Sequence, residues 1–300
     1  MDSILVVGTD TVVGSNLAAH WAENGWNVSG LSRAAIDVDF APTALDEARR
    51  HMASARPSIL VYCGAASESA WSYPTIDAAA EAHLRIWARA ARDAGCRFTY
   101  LSSDAVFTGP WLFHAEDSPH QCPSLEGSRL RTMEELVERV VPTALIVRTN
   151  AFGWSPDGEG WVETLLADLD DGALTADPVR HATPILATDL ASILARAHEE
   201  ELTGPLHIAG AERVSHASFA RRLAAQFELD APAAEPAGAL AAAATGFGRG
   251  ETSLRTKRAK NVLNTAMPML AEGLARLHAQ SINGFQNRVA EPTGELHRVA

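Results

Sequence analysis

Lysine is almost absent. The 300 residues contain two, Lys257 and Lys260, both far down the chain, so a motif that needs a lysine side chain before residue 257 is excluded. Tyrosine is nearly as scarce, at Tyr62, Tyr73 and Tyr100, which leaves three positions for a phenolic acid or base. Cys63, Cys96 and Cys122 form no Cys-x-x-Cys pair; this argues against a thiolate metal or redox site, and an odd number of thiols suits a reducing compartment. No His or carboxylate pair has ligand spacing with a supporting third group, so no metal is expected. Positive charge is also short, with 25 Lys and Arg against 37 Asp and Glu and a net charge of −12. Such a balance disfavours nucleic acid and anionic membrane as partners, while leaving room for a local basic site and a small anionic ligand. Asp2 stands where a signal peptide would be basic, and Gly8 interrupts the first apolar run early, so a cytoplasmic chain is expected.

What is present is alternation. "ILVVGTDTVVGSNL" (Ile4 to Leu17) reads as strand, tight turn and helix. Further strands are read in "WNVSGLSR" (Trp26 to Arg33), "PSILVYCGAAS" (Pro57 to Ser67), "RFTYLSSDAVF" (Arg97 to Phe107) and "TALIVRT" (Thr143 to Thr149). Helical stretches separate them; the clearest begins at Thr75, a candidate cap, and stops at Gly95. Strands alternating with helices of this length imply parallel crossovers and a doubly wound α/β sheet with ligands at the carboxyl ends of its strands. A hydrophobic content of 47% can fill the core of such a domain. Residues 1–150 are assigned to a nucleotide-binding domain and 151–279 to a smaller substrate lobe with interleaved segments. In that lobe "TDLASILARAHEEEL", capped by Thr188, and "SHASFARRLAAQFEL" read as helices and "GPLHIAG" as a short strand. Asp230 to Gly250, rich in Ala, Pro and Gly, reads as a mobile loop, and residues 280–300 as a flexible tail.

The order of "GTDTVVG", "YCGAAS", "YLSSDAVFTG", "EDSPHQCPSLEGSRL", "IVRTNAFG", "ATDLASIL", "GPLHIAG" and "RTKRAKNVLNT" resembles the extended short-chain dehydrogenases/reductases, closest to the dTDP-4-dehydrorhamnose reductase branch. The resemblance runs from about residue 3 to about 278. It implies a Rossmann-type sheet with a C-terminal substrate lobe. It also implies a nicotinamide cofactor and reduction, epimerisation or dehydration of a nucleotide-linked keto sugar. A homodimer or a partner enzyme are the assemblies it leaves open.

The resemblance stops at the chemistry. Members of the family carry a Tyr-x-x-x-Lys pair about twenty residues after the "SSDAVF" stretch, the tyrosine moving a proton and the lysine lowering its pKa and holding the ribose. Here those positions are Glu126 and Leu130. Ser103 matches the active-site hydroxyl and Asp104 its neighbour, while Ala105 stands in place of a substrate-facing tyrosine and His83 falls near an asparagine used in the family's proton relay. Glu126 is read either as a replacement acid/base or as a solvated capping residue.

The cofactor loop is also altered. Gly8, Thr11 and Gly14 replace three glycines, and Thr11 is expected to point its side chain where pyrophosphate approaches. Val12 and Val13 open the helix whose N-terminus would receive that pyrophosphate. Ser32 and Arg33 stand where an arginine meets a 2′-phosphate, favouring NADP over NAD. Gly64, Ala65 and Ala66 follow the third strand beside the same ligand, and Asp37 and Asp39 fall near the adenine position. NADP or NAD binding is therefore expected to be weakened. Arg148 is read either as a contact to a sugar-nucleotide phosphate or as half of an ion pair. Arg180, His181 and Thr183 lie in the region where the family contacts its nucleotide. Two functions remain: a non-reducing relative, a pseudoenzyme or regulatory subunit comparable in kind to the regulatory subunit of methionine adenosyltransferase, or an NADPH-dependent enzyme that uses Ser103 and Glu126 on a carbonyl compound.

Overall fold

Short, wholly apolar strand sequences require cover on both faces of a sheet. In "ILVV" of β1 (Ser3–Val7), Ile4 and Val6 face one way and Leu5 and Val7 the other, and all four are buried. The computed structural model describes residues 3–38, 41–172, 175–177, 179–231, 233–234 and 246–290. Within them β1 is followed by α1 (Val12–Glu23), β2 (Asn27–Leu31), α2 (Ala41–Ala55), β3 (Ile59–Tyr62), α3 (Ala78–Ala94), β4 (Arg97–Ser103), α4 (Leu125–Val140) and β5 (Leu145–Thr149). The chain continues through β6 (Ala151–Phe152), α5 (Trp161–Asp170), β7 (Thr175–Ala176), β8 (His181–Ala182), β9 (Ile185–Leu186), α6 (Ala187–Glu199), β10 (Gly204–His207), β11 (Val214–Ser215), α7 (His216–Gln226) and β12 (Ala233–Ala234). It closes with α8 (Lys257–Leu263), α9 (Leu270–Ile282) and α10 (Phe285–Ala290).

The main sheet is six-stranded and parallel, in the order β10-β5-β4-β3-β1-β2. One face packs on α2, α3 and α4 through Met52, Leu84, Trp87, Leu130 and Val137. The other packs on α1 and α6 through Leu17, Trp21, Leu190 and Leu194. The strand order reverses after β2, where α2 carries the chain back past β1 to β3. The carboxyl ends of β1 and β3 therefore flank the switch point, where doubly wound sheets bind ligands. Val7, Tyr62 and Tyr100 lie in one row across the sheet, and Ser103 pairs with Thr149 farther along the same edge.

The strand expected in "GPLHIAG" joins this sheet as its outermost member, pairing with β5 rather than standing in the later lobe. That lobe has its own core of Phe152, Trp154, Leu165, Phe219 and Leu274, into which Trp71 inserts from the loop after β3. Trp71 meets Trp161 edge-on at 5.9 Å between ring centres and Phe219 at 5.6 Å.

Three local expectations change. The α3 cap is Asp77, whose carboxylate accepts from Ala80 N, in place of Thr75, while Gly95 closes the helix in the left-handed conformation at φ 67° as expected. Thr188 lies inside α6, where its hydroxyl accepts from Gln280 Nε2 at 3.0 Å. The tail assigned from residue 280 begins inside a helix: α9 runs to Ile282 and α10 follows, with Phe285 and Val289 buried in the lobe core. A six-residue helix with two apolar anchors is too short to show periodicity in sequence. Most of the loop read from Asp230 to Gly250, and residues 291–300, lie outside the described residues.

Phe285→Ala is expected to destabilise the protein by about 3 kcal/mol in urea unfolding, as loss of a buried aromatic does; a change near zero would mean that the segment is a tail after all.

Candidate functional site

The turn between β1 and α1 is built by glycine, as the sequence implies, but for packing against the protein itself. Gly8 has φ 98°, and a Cβ there would lie 1.7 Å from the Cys63 carbonyl oxygen. A Cβ on Gly14 would lie 2.0 Å from the Gly8 carbonyl oxygen. Thr11 departs from its expected orientation. Its side chain is turned into the loop, where its hydroxyl donates to Gly8 O at 2.7 Å and accepts from Gly14 N at 3.0 Å. It is thus the N-cap of α1, and it satisfies an amide that would otherwise face a ligand.

The next amide is also taken. Val12 N donates at 3.1 Å to Oε1 of Glu68, a half-buried residue in the loop after β3. Burial raises the Glu68 carboxyl to about 6, while the Val12 amide and Arg33 act in the opposite direction. Val13 is fully buried in the core behind the loop. Arg33, the expected 2′-phosphate contact, has a partner of its own: its backbone N and its Nε each donate to Asp10 at 2.7 Å. Ser32 accepts from Ala34 N and caps a short turn. A Cβ on Gly64 would lie 2.6 Å from the Tyr62 ring. Ala65 and Ala66 open a 3-10 turn, with Ala66 in the core. The Tyr62 hydroxyl pairs with His83 Nδ1 at 3.0 Å, and His83 Nε2 lies 2.8 Å from the Arg33 carbonyl. Asp39 lies outside the described residues.

The fold family implies a nicotinamide dinucleotide, whose pyrophosphate would lie on the N-terminus of α1. With the Glu68 carboxylate on Val12 N, the residues as arranged do not fit that pyrophosphate.

At the end of β4, Ser103 is buried and its Oγ accepts from Ala105 N at 3.1 Å. Asp104 has no exposure. Its Oδ2 accepts from Asn150 Nδ2 at 3.0 Å and from Thr252 Oγ1 at 2.6 Å, and its Oδ1 from Ser103 Oγ at 3.4 Å. Burial raises this carboxyl to about 6 even though three donors favour its charge. Asn150 in turn accepts from Ser69 Oγ at 2.8 Å. Glu126 lies in the first turn of α4, half-buried, behind the cap Ser124. Leu130, at the lysine position, has no exposure and packs among the core residues of α3 and α4.

The proposed substrate contacts are tied to the protein. Of the two readings of Arg148, the structure gives the ion pair: its guanidinium grips Glu134 through Nε at 2.9 Å and Nη2 at 2.7 Å, both partners nearly buried, and Ser102 Oγ donates to the same carboxylate at 2.6 Å. Arg180 donates to Gly248 O at 3.1 Å and Ala70 O at 3.0 Å and stacks over Tyr73. His181 Nδ1 lies 2.9 Å from Val179 O, and Thr183 accepts from Leu254 N. Among the described residues no group of three or more His, Cys, Asp or Glu side chains could hold a metal ion, and no helix is long and apolar enough to cross a membrane.

Glu68, Asp10, Glu134 and Thr252 complete the site without belonging to any of its sequence motifs, apart from Asp10 inside the glycine loop; the other three meet their partners across 14 to 148 residues of chain.

The parallel sheet, its switch-point loop and the motif order define an extended short-chain dehydrogenase/reductase fold. The RmlD substrate binding domain family matches residues 1–282, and the chain belongs to that family. Among curated proteins it is similar to a Streptomyces antibioticus protein described as a probable dTDP-4,6-dihydroxy-2-methyloxan-3-one 4-ketoreductase, 31% identical over 216 residues covering 69% of this chain and 71% of that one. Among solved structures it is similar to dTDP-4-dehydrorhamnose reductase from Bacillus anthracis in complex with NADP, with TM-score 0.77 and 19% identity over 93% of this chain and 99% of that one. It is also similar to UDP-glucose 4-epimerase from Thermotoga maritima with UDP-glucose, with TM-score 0.73 and 17% identity over 94% and 99%.

Asp104 should mark the pH dependence of stability. Its pKa is raised on folding, so the native state holds a proton that the unfolded chain releases, and stability falls as pH rises from about 4 to about 6. The expected loss over that window is roughly 2–3 kcal/mol. Asp104→Asn, which stays neutral and keeps an oxygen for Asn150 and Thr252, should remove this decline in urea titrations; an unchanged slope would assign it to another group.

Proposed function

We propose that the chain holds a nucleotide or nucleotide-linked sugar at the carboxyl edge of its sheet, binds nicotinamide dinucleotide weakly, and does not carry out the family's tyrosine–lysine ketoreduction. The observation that carries this reading is Leu130. A fully buried leucine occupies the position of the cation that would lower the donor's pKa and hold the ribose. Its side chain packs in the apolar core between α3, α4 and the sheet. The donor position itself holds Glu126, in a helix first turn where an acidic side chain commonly serves the helix dipole. Ser103 caps the turn that follows it, and Asp104 is sealed from solvent. A positioned proton donor contributes about 10²–10⁴-fold to a carbonyl reduction.

The second reading is an NADPH-dependent reductase in which Ser103 and Glu126 move the proton. The similarity to the Streptomyces antibioticus protein favours it, since that relative is described as a probable 4-ketoreductase.

Two measurements separate them. NADPH oxidation with a dTDP-linked 4-keto-6-deoxy sugar should stay at background, and calorimetric titration with dTDP, and with UDP- and dTDP-linked sugars, should show binding of at least one. Turnover that Glu126→Ala abolishes would establish the reductase instead. Failure of every nucleotide to bind would overturn the binding role.

A further inference from the structure

The two groups that would receive a dinucleotide's phosphates already carry carboxylates from the chain. One is the N-terminus of α1, with Glu68 Oε1 3.1 Å from Val12 N. The other is Arg33, which donates to both oxygens of Asp10 at 2.7 Å, through Nε and through its backbone N. We propose that Glu68 and Asp10 close the dinucleotide site from within, standing in for pyrophosphate and 2′-phosphate, so that a dinucleotide binds only by displacing them.

The Glu68 contact is preorganised. Ser67, just before it, is fixed to Gly64 O by its backbone N at 2.9 Å and its Oγ at 2.7 Å. Ser69, just after it, donates to Asn150 at 2.8 Å inside the buried Asp104 network. Glu68 is therefore held between two anchored residues, and its carboxylate lies against the positive end of the helix dipole. Pyrophosphate needs that amide and meets a negative charge on it; removal of the charge costs the loop neither anchor. Asp10 adds a second negative charge to the same loop and neutralises the guanidinium that would select NADP over NAD. Thr11 is excluded as the main barrier by its inward orientation. The inference rests on the weak dinucleotide binding proposed above and deepens it by naming the two carboxylates that cause it; the loss of ketoreduction is tested separately, because a chain that reduces nothing can still bind NADPH.

The test is calorimetric titration of NADPH and NADH at neutral pH and low salt into the wild type, Glu68→Ala, Glu68→Gln, Asp10→Asn and Thr11→Gly, each first checked for native circular dichroism. Wild-type dissociation constants should be about 100 µM or weaker, and Glu68→Ala should bind both dinucleotides at least about tenfold more tightly, a gain of about 1.4 kcal/mol. Asp10→Asn should tighten NADPH at least about threefold more than NADH, because only NADPH has a phosphate for the freed Arg33. Thr11→Gly, which leaves Glu68 in place, should stay within about threefold of the wild type. Low-micromolar binding by the wild type would overturn the proposal without any variant. So would a folded Glu68→Ala that binds no better, or a Thr11→Gly gain as large as that of Glu68→Ala. If Glu68→Ala does not fold, the near-isosteric Glu68→Gln decides: a gain of at least about threefold supports the proposal, and none overturns it.

Discussion

A carboxylic acid sealed from water must be either neutral or richly bonded, and Asp104 draws three donors from separate parts of the chain. Ser103 is its neighbour at the end of β4, Asn150 joins β5 to β6, and Thr252 arrives from the segment just before α8. Asn150 then reaches Ser69, and one residue before it Glu68 lies on the first amide of α1. The arrangement of the carboxyl edge of the sheet thus depends on one buried group. The same linkage brings the loop after β3, with Trp71 inserted in the aromatic core of the later lobe, into register with the glycine turn.

Polar groups read from the sequence as candidate ligand contacts make their hydrogen bonds within the protein. Arg148 faces Glu134 across neighbouring elements, and a buried pair of that kind is costly to break from either side because the remaining charge has no water. Arg180 spends its donors on two backbone carbonyls and its face on Tyr73. Thr11 closes its own turn. Leu130 extends the apolar contact between α3, α4 and the sheet, and a lysine ammonium among those neighbours would face a large desolvation cost. Sheet, turn and motif order are those of the family, and the side chains at the carboxyl edge of the sheet are joined by internal hydrogen bonds.

Much of this was legible in the chain itself. Apolar runs too short for helices and buried on both faces identify parallel strands, and Gly95 marks the end of α3 because a left-handed residue closes a helix most easily as glycine. Gly8 and Gly14 marked a tight turn for the same local reason. Less legible were the assignments that hang on distant partners. "GPLHIAG" is recognisable as a strand, but its place at the edge of the main sheet follows from pairing with β5 about sixty residues earlier. The helix at Phe285 is set by two contacts in a core assembled from many segments.

The sequence by itself determined the α/β class, the switch-point turn and the loss of the tyrosine–lysine pair, because these rest on local periodicity, backbone freedom and the identity of residues at fixed spacing. Only the tertiary structure decided which charges meet. Arg33 could have faced a phosphate, but Asp10 is within 2.7 Å; Glu68 carries no local signal, but folding sets it on Val12. Charge pairing depends on distance and burial, and neither is written along the chain.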